Sequence, residues 1–173
     1  NNDAPILKSN QASIGFTFKK KNWLITLDNY YKKVTGVSSR SQSFQNQLEA
    51  LKINGEYRVF GSELLIQKQI SNLIAWVTYA YTDNDYTFVD FTPSTFPNNF
   101  ENQHQVNTGI IYDYKNLKVA LGARWFTGKP TTLPLNNTIV NNQIVYAEPN
   151  SSRLDDYFQL NFSAGYTIEL SKN

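Results

Sequence analysis

Two alternating runs joined by a two-residue turn make up residues 104–126, HQVNTGIIYDYKNLKVALGARWF. In the first run, Val106, Ile110 and Tyr112 share one face, and mostly polar or small residues fall between them. In the second run, Leu117 begins a similar face that ends at Trp125. A period of two predicts β-strands with one apolar face, because the faces of helices repeat every three to four residues. These residues therefore predict a β-hairpin that turns at 115–116.

The same pattern recurs along the chain in runs that are long for β-strands. The runs cover residues 12–20, 23–32, 57–70, 73–82, 103–114, 117–126 and 156–168. Strands of soluble proteins usually stop after about 5 to 6 residues, whereas strands that cross a bilayer need about 9 to 11. The pattern therefore predicts an all-β fold, namely an antiparallel transmembrane up-and-down β-barrel segment with about seven strands of a larger barrel.

Short and long connections alternate between these runs. The short connections are two-residue turns at 21–22, 71–72 and 115–116, and the long ones span about 35–55, 83–102 and 127–155. The long links are rich in Asn, Ser, Thr and Pro. Outer-membrane barrels sort their connections in this way, with short periplasmic turns and long external loops. The loop lengths therefore predict which end of the sheet faces the outside of the cell.

Aromatic residues recur on the predicted apolar face at a spacing of eight positions. Trp23 and Tyr31 form one such pair, and Phe158 and Tyr166 form another. At about 3.3 Å per residue and a tilt near 40°, eight positions rise roughly 20 Å, which is close to the height of the apolar band of a membrane barrel. The alternative is that these rings fill the core of a soluble sandwich. The agreement of strand length, loop length and aromatic spacing favours the membrane interpretation.

The composition excludes several classes of function. The chain is 40% hydrophobic but has a mean hydropathy of -0.46, and its longest apolar run, at 73–77, is far shorter than the roughly 20 residues of a membrane helix. The first ten residues contain no secretory leader, so we expect a mature chain or an internal fragment. Without cysteine, disulfides and thiolate metal sites are excluded. A net charge of +2 with interspersed signs argues against nucleic acid as a partner.

His104 and the segment Asp83-Asn84-Asp85 are the first candidates for chemistry. No serine nucleophile with an orienting acid accompanies His104, so we interpret it as a polar residue at the mouth of a strand. The oxygen atoms of Asp83, Asn84 and Asp85 could bind calcium, but the glycine and the distal glutamate of an EF-hand loop are missing. A solvated loop tip is the favoured interpretation. We therefore predict no catalytic residue, cofactor or metal, and no enzyme activity.

Charged and aromatic residues near the strands are the remaining candidates. Because alternate residues of a strand point to opposite faces, Glu63 and Arg124 belong to the polar face that would line the lumen. Arg58 and Lys68 lie on or near strands. A charged pathway or plug contact and a structural network are both open for the lumen residues. One long link contains rings and prolines that either close over a ligand or pack together, with packing favoured: Tyr86, Phe88, Phe91, Pro93, Phe96, Pro97 and Phe100. The ligand-binding residues stay unknown.

Several motifs resemble the late barrel of TonB-dependent receptors, of the Bacteroidetes kind. Residues 104–107, HQVN, resemble that family's His-Gln-Leu-Asn-like strand start, and 125–130, WFTGKP, resemble its aromatic and Ser/Thr-Gly-Lys/Arg-Pro strand end. Residues 153–161, RLDDYFQLN, are similar to its Arg-x-x-x-Tyr-x-Arg-Leu-Asp start, and 59–64, VFGSEL, to its Gly-x-Glu strand. Gln159 and Asn161 stand where the family often has Arg and Asp, which removes a charged pair from the lumen side.

The resemblance implies a receptor of the bacterial outer membrane that imports a scarce nutrient, such as an iron chelate, a cofactor, a glycan or a peptide. It implies contact with outer-membrane lipid, a TonB-type energy-coupling partner that acts through a plug domain missing from this sequence, and possible association with a surface lipoprotein or a larger membrane complex. Residues 1–173 would be a single partial domain, the C-terminal portion of the barrel. Such a barrel needs more than these strands, so we expect further strands outside the sequence.

Three alternatives belong to other classes. The first is a structural or assembly-complex outer-membrane β-barrel without transport activity. The second is a soluble ligand-binding β-barrel or sandwich, which would stay monomeric without detergent. The third is an outer-membrane hydrolase, which the lack of a recognisable catalytic set disfavours.

Overall fold

The computed structural model describes residues 6–38, 54–140 and 143–168. In this part of the chain every regular element is a β-strand, and no helix is long and apolar enough to cross a membrane. The strands are β1 (Lys8–Lys20), β2 (Trp23–Ser38), β3 (Asn54–Ile70), β4 (Leu73–Thr87), β5 (Thr95–Pro97), β6 (His104–Tyr114), β7 (Leu117–Phe126), β8 (Pro130–Thr131), β9 (Pro134–Val140), β10 (Gln143–Tyr146), β11 (Ser152–Arg153) and β12 (Tyr157–Tyr166). The prediction of an all-β fold is confirmed.

The seven long strands form one antiparallel sheet in the order β1-β2-β3-β4-β6-β7-β12, and the short β5 pairs with β4. Each long strand is hydrogen-bonded to the long strand that follows it in the chain, which is up-and-down connectivity. The long strands have between 10 and 17 residues. The predicted antiparallel up-and-down sheet is therefore confirmed, and each long strand has at least the number of residues that a strand needs to cross a bilayer.

Tight turns join the strands where the sequence predicts them. Lys20 pairs with Trp23 across the first turn, and the other two turns close in the same way. A two-residue turn matches the right-handed twist of two strands only when its backbone enters the left-handed region. The backbone angle φ is positive at the first residue of each turn, with 51° at Lys21, 47° at Ser71 and 53° at Lys115.

Successive tight turns are staggered along the sheet. Trp23, just after the first turn, aligns with Lys68, but β3 continues to Ile70 before the second turn. Leu73, just after the second turn, aligns with Tyr112, and β6 continues for two more residues. The stagger between successive turns is two residues per hairpin, or about one residue per strand. At about 3.3 Å per residue and about 4.8 Å between strands, this stagger corresponds to a strand tilt of about 35°. Closed barrels require strands that are tilted by about this angle.

One face of the sheet is apolar from edge to edge. Opposed residues of an antiparallel pair share a face, and the pairing aligns one row across the seven long strands: Phe16, Leu27, Leu64, Tyr79, Val106, Trp125 and Phe158. We call the surface that contains this row the apolar face. Its side chains are large and exposed, with 62% of Phe16 and 70% of Phe162 accessible. An apolar surface of this extent is stable only when something other than water covers it.

The opposite surface, which we call the polar face, has a different composition. One of its rows contains Thr17, Thr26, Leu65, Thr78, Asn107, Arg124 and Gln159. Glycines on this face make room for aromatic rings of the neighbouring strand. A Cβ atom at Gly109 would collide with the indole ring of Trp76, its partner across β4 and β6. The polar face is therefore partly covered by side chains that lie flat on the sheet.

The long links contain more regular structure than the sequence predicts. We expected loops at about 83–102 and 127–155, but β4 extends to Thr87, the first link contains β5, and the second contains β8 to β11. Two separate pairs arise in the second link, β9 with β10 and β8 with β11. In the link expected at 35–55, β2 extends to Ser38, and residues 39–53 lie outside the described part of the chain.

Candidate ligand-facing surface at the long-loop end

A buried aromatic cluster lies at the long-loop end of the sheet. Tyr86 on β4, Phe96 on β5 and Phe88 between them are at most 3% exposed, and they pack with Val34 and Val37 of β2. The alternation of strand residues places Val34 and Tyr86 on the polar face. The favoured interpretation of this link, packing without a ligand, agrees with the burial of these three rings.

The cluster has edge and stacked ring contacts that fix its geometry. The Phe88 and Phe96 ring centroids lie 6.1 Å apart and nearly parallel, and Phe91 meets both rings edge-on. Burial raises the pKa of the Tyr86 hydroxyl to about 12, because the charged form would lose its hydration, and a side-chain hydrogen bond with Asn98 opposes this effect. Pro93 and Pro97 are half-buried, whereas Phe100 is 66% exposed. Phe100 is thus a candidate contact for a ligand and the inner rings are not.

An ion pair connects the two long links that the structure describes. Glu101 is 2% exposed, and one of its carboxylate oxygens accepts a hydrogen bond from the guanidinium of Arg153. Its other oxygen accepts the backbone N–H of Asn84 at 3.0 Å. Arg153 also donates to the carbonyl of Gly128 at 3.2 Å. The buried carboxylate is therefore compensated by the charge of Arg153 and by hydrogen bonds from two parts of the chain.

The WFTGKP motif at 125–130 holds this connection in place. The backbone N–H of His104 donates to Oγ1 of Thr127 at 3.0 Å, which joins the start of β6 to the end of β7. A Cβ atom at Gly128 would collide with the carbonyl of Leu154, so only glycine permits this approach. The N–H of Gly128 also donates to Asp156 at 3.1 Å. The motif therefore binds the segment that precedes β12.

Asn150 extends the contact between the links. Its side-chain amide donates to the carbonyl of Pro97 at 2.7 Å, and its backbone N–H donates to Oγ1 of Thr132 at 2.9 Å. Asn150 is 8% exposed and has a φ of 54°, a conformation that asparagine tolerates better than most residues. No local sequence signal connects Glu101, Arg153 and Asn150, although Arg153 lies in the RLDDYFQLN motif at 153–161.

Aromatic, amide and cationic groups line the polar face below these links. The rings of Phe126 and Tyr157 stack at a centroid distance of 4.8 Å, and the guanidinium of Arg124 lies 5.4 Å from the Phe126 ring. The Tyr157 hydroxyl donates to Gln159, and the Gln159 amide donates to Asn161 at 2.9 Å. Stacked rings beside amide donors and a cation can bind polar ligands or another protein surface.

The charged candidates divide between the two faces. Glu63 and Arg124 share the polar face, but the strands β4 and β6 lie between β3 and β7, so the two side chains have different neighbours. Glu63 lies opposite Asp28. Arg58 and Lys68 lie on the apolar face at its two ends, where Arg58 pairs with Asp85 at 3.3 Å and Lys68 lies over Trp23 at 4.1 Å. Parity thus assigns the first two correctly to the polar face.

His104 and the acidic segment 83–85 do not form a reactive site. His104 Nδ1 is 2.8 Å from the Tyr79 hydroxyl, and its ring also contacts Tyr81. Asp83, Asn84 and Asp85 lie within β4 and not at a loop tip, so the alternation of the strand turns Asn84 to the opposite face from its two neighbours. Among the described residues, no group of three or more His, Asp or Glu side chains could hold a metal ion.

Three buried amide oxygens near the ion pair have no hydrogen-bond partner among the residues that the structure describes. They are Oδ1 of Asn84, Asn99 and Asn102. Buried polar atoms are usually satisfied, so unsatisfied acceptors mark a place where a donor from outside the chain could bind. A donor-rich ligand or ordered water would satisfy them. Asn99 and Asn102 are within two positions of the exposed Phe100, which makes the long-loop end the candidate ligand-facing surface.

A tilted, staggered sheet with one apolar and one polar face defines an outer-membrane β-barrel, whose strands separate lipid from a polar lumen. The particular family follows from comparison with family models. The model for the TonB dependent receptor-like β-barrel matches residues 4–173, and the chain belongs to this family. The family comprises outer-membrane receptors and transporters and not enzymes. No curated protein and no solved structure matches the chain.

Proposed function

We propose that residues 1–173 form a single partial domain, the C-terminal portion of the barrel of a TonB-dependent receptor that imports a scarce nutrient. The proposal rests mainly on one observation: across the whole sheet, whose strands have 10 to 17 residues, one face is apolar and the opposite face is polar. The family match over residues 4–173 adds the receptor class. Together they support a wall with lipid on one side and a transport lumen on the other.

The proposed orientation follows from the two ends of the sheet. The two-residue turns face the periplasm, and the long links with the aromatic cluster and the Glu101–Arg153 ion pair face the outside. Ligand first meets the external links, where Phe100 is exposed. The polar face then lines its path, with Arg124 and the stacked Phe126 and Tyr157 rings on the wall.

The proposed mechanism involves no bond chemistry. A plug domain from another part of the protein occupies the lumen, and a TonB-type energy-coupling partner pulls on it to open a path along the polar face. The cargo belongs to the scarce nutrients that need energised import: an iron chelate, a cofactor, a glycan or a peptide. A surface lipoprotein or a larger membrane complex is a further proposed partner at the external links.

Cysteine accessibility tests the assignment of the two faces. The protein has no cysteine of its own in this sequence, so single substitutions on β12 can be labelled selectively. In outer-membrane vesicles, we expect Ser163→Cys on the polar face to react with a charged, water-soluble maleimide. Phe162→Cys on the apolar face should react at least about tenfold more slowly, because charged reagents do not enter hydrocarbon. Equal labelling of the two positions would contradict a membrane wall.

Uptake by whole cells tests the receptor function separately. Cells with and without the full-length receptor are compared for accumulation of labelled ferric chelates, cobalamin, oligosaccharides and peptides. We expect one class to accumulate only when both the receptor and the energy-coupling partner are present. If the faces label as expected but no class shows this dependence, the barrel has a structural or assembly role instead.

A further inference from the structure

Unpaired lysines collect at the tight-turn end of the sheet. Within residues 6–38, 54–140 and 143–168, that end contains six lysines and one acid, Asp113. Lys118 lies 3.7 Å from this acid, but the other five lysines form no ion pair within those ranges: Lys19, Lys20, Lys21, Lys68 and Lys115. The positive charge at this end is therefore not neutralised by the described chain.

The opposite end of the apolar face has no such excess. Lys33 pairs with Glu56 at 2.8 Å, and Arg58 pairs with Asp85 at 3.3 Å, so two cations there have carboxylates beside them. Asp83 lies on the same face one pairing row away from the Arg58 row. The contrast shows that the lysines at the tight-turn end are a local feature of one border and not a property of the whole face.

The aromatic residues beside these lysines identify the depth at which the lysines lie in the membrane. Lys20 and Lys68 both pair with Trp23, so the three residues share the apolar face. Nζ of Lys68 lies 4.1 Å from the Trp23 ring, and Nζ of Lys115 lies 5.2 Å from the ring of Tyr114. Interfacial tryptophan and tyrosine lie at the headgroup level, and lysines that flank an apolar band extend their ammonium groups to the same level.

We propose that Lys20, Lys21, Lys68 and Lys115 form a binding surface for anionic phospholipid headgroups in the periplasmic leaflet, with phosphatidylglycerol as the preferred lipid. We call these four residues the lysine border. The proposal goes beyond uptake and rests on the proposed membrane placement. Lysine side chains beside an anionic lipid surface gain favourable electrostatic energy that a neutral headgroup does not supply.

The geometry favours lipid over an acidic protein partner. Lys20 and Lys68 project from the apolar face, which contacts hydrocarbon in the proposed orientation, and not from the polar face around the lumen opening. The ring of Trp23 beside Lys68 belongs to the same surface. A periplasmic protein would have to displace lipid to reach these two ammonium groups, whereas a phosphate headgroup is already at that level.

Native mass spectrometry of the full-length receptor tests the proposal. The receptor is equilibrated with mixed micelles of phosphatidylglycerol and phosphatidylcholine, and the lipids that remain bound are counted. We expect the wild type to retain phosphatidylglycerol preferentially. The triple variant Lys20→Gln, Lys68→Gln, Lys115→Gln should lose this preference by roughly fivefold for each lysine. Added salt should weaken the wild-type preference, because it screens exposed charges.

A matched variant separates the lysine border from net charge. Lys8→Gln, Lys32→Gln, Lys33→Gln removes the same charge from the long-loop end and should keep the wild-type lipid preference. An unchanged preference in the first variant, or none in the wild type, would overturn the proposal. So would a variant that keeps the lipid preference but loses cross-links to an acidic periplasmic protein. Cysteine labelling on β12 shows independently whether the barrel is inserted, so failure of the membrane placement is distinguishable.

Discussion

Among the described residues, Glu101 is an acid whose carboxylate is buried and not exposed to water. It is 2% exposed and receives hydrogen bonds from the Arg153 guanidinium and the Asn84 backbone. A buried charge is tolerated when its partners replace its hydration, and removal of one partner leaves the other uncompensated. Glu101 therefore stabilises one arrangement of the two links, and its neutralisation should release them.

Glu101→Gln should loosen the contact between the links at a cost of about 2 to 4 kcal/mol, since the side chain of Arg153 is one third exposed and keeps part of its hydration. Hydrogen–deuterium exchange should rise at 98–103 and 150–156 and stay unchanged in β7. Lys33→Gln is the control, because it breaks an exposed ion pair with Glu56 and should leave these segments protected. Unaltered exchange in Glu101→Gln would show that the ion pair does not hold the links.

Tyr86 gives the long-loop end a dependence on alkaline pH. Burial raises the pKa of its hydroxyl from 10.0 to about 12, so the folded state favours the neutral form. This stabilisation is fully present below pH 10 and is lost as the pH rises from about 10 through about 12. We expect the aromatic cluster to open in that interval.

Tyr86→Phe isolates this effect, because phenylalanine keeps the ring and cannot ionise. Denaturant unfolding of the receptor should become less dependent on pH between 10 and 12 in the variant than in the wild type. At neutral pH the variant should lose about 1 kcal/mol, because the hydrogen bond with Asn98 is missing. Identical pH dependence in the two proteins would contradict the assignment to Tyr86.

The residues that parity could place were predicted well, and those that depend on distant contacts were not. Glu63 and Arg124 follow the alternation of their strands onto the polar face. Glu101 and Arg153 are 52 positions apart in links without a sequence period, so nothing local indicates their pairing. Asp83 and Asp85 were expected at a loop tip, because the prediction ended β4 too early.

At the scale of elements, the ends of strands were harder to predict than their centres. Alternation identifies a strand in the sequence only where one face is apolar and the other polar. At the long-loop ends of β2 and β4 this pattern is lost, because Val34 and Tyr86 are apolar or aromatic residues on the otherwise polar face. The backbone hydrogen bonds of these strands nevertheless continue to Ser38 and Thr87. The tight turns were located correctly, because a hairpin of fixed length must join two strands whose apolar residues stay on one face. The strands β8 and β11 have two residues each, which is too few to show a period.

The pairing of β4 with β6 depends on a glycine beneath an aromatic ring. Gly109→Ala should force the Trp76 ring off the sheet, because a Cβ atom at position 109 would collide with it. We expect a loss of about 1 to 3 kcal/mol from this overpacking, and a red shift of tryptophan emission as the ring moves. Gly122→Ala is a matched control on the neighbouring strand, since its Cβ would make an ordinary contact at 3.6 Å. Equal effects of the two substitutions would mean that ring packing on the polar face is unimportant.

At the scale of the whole molecule, the described chain leaves two kinds of surface uncovered. The sheet begins at β1 and ends at β12, so each of these strands has a hydrogen-bonding edge without a partner in the described chain. The apolar face adds a wide area of exposed aromatic and aliphatic side chains. Unpaired edges and apolar patches of this size promote association in water. Both surfaces are covered in a complete barrel inside a bilayer.

Residues 1–173 expressed alone should therefore be aggregated in buffer and disperse only in detergent, which light scattering after size-exclusion chromatography measures. The triple variant Leu121→Glu, Leu160→Glu, Phe162→Glu places charge on the apolar face and should reduce the detergent requirement. Asn107→Glu, Gln159→Glu, Asn161→Glu adds the same charge to the polar face and should not. If the chain aggregated only through its unpaired strand edges, both variants would need detergent equally. If the apolar face is normally covered by lipid, only the variant with charges on that face should need less detergent. A monomeric wild-type chain in buffer without detergent would contradict the membrane barrel itself.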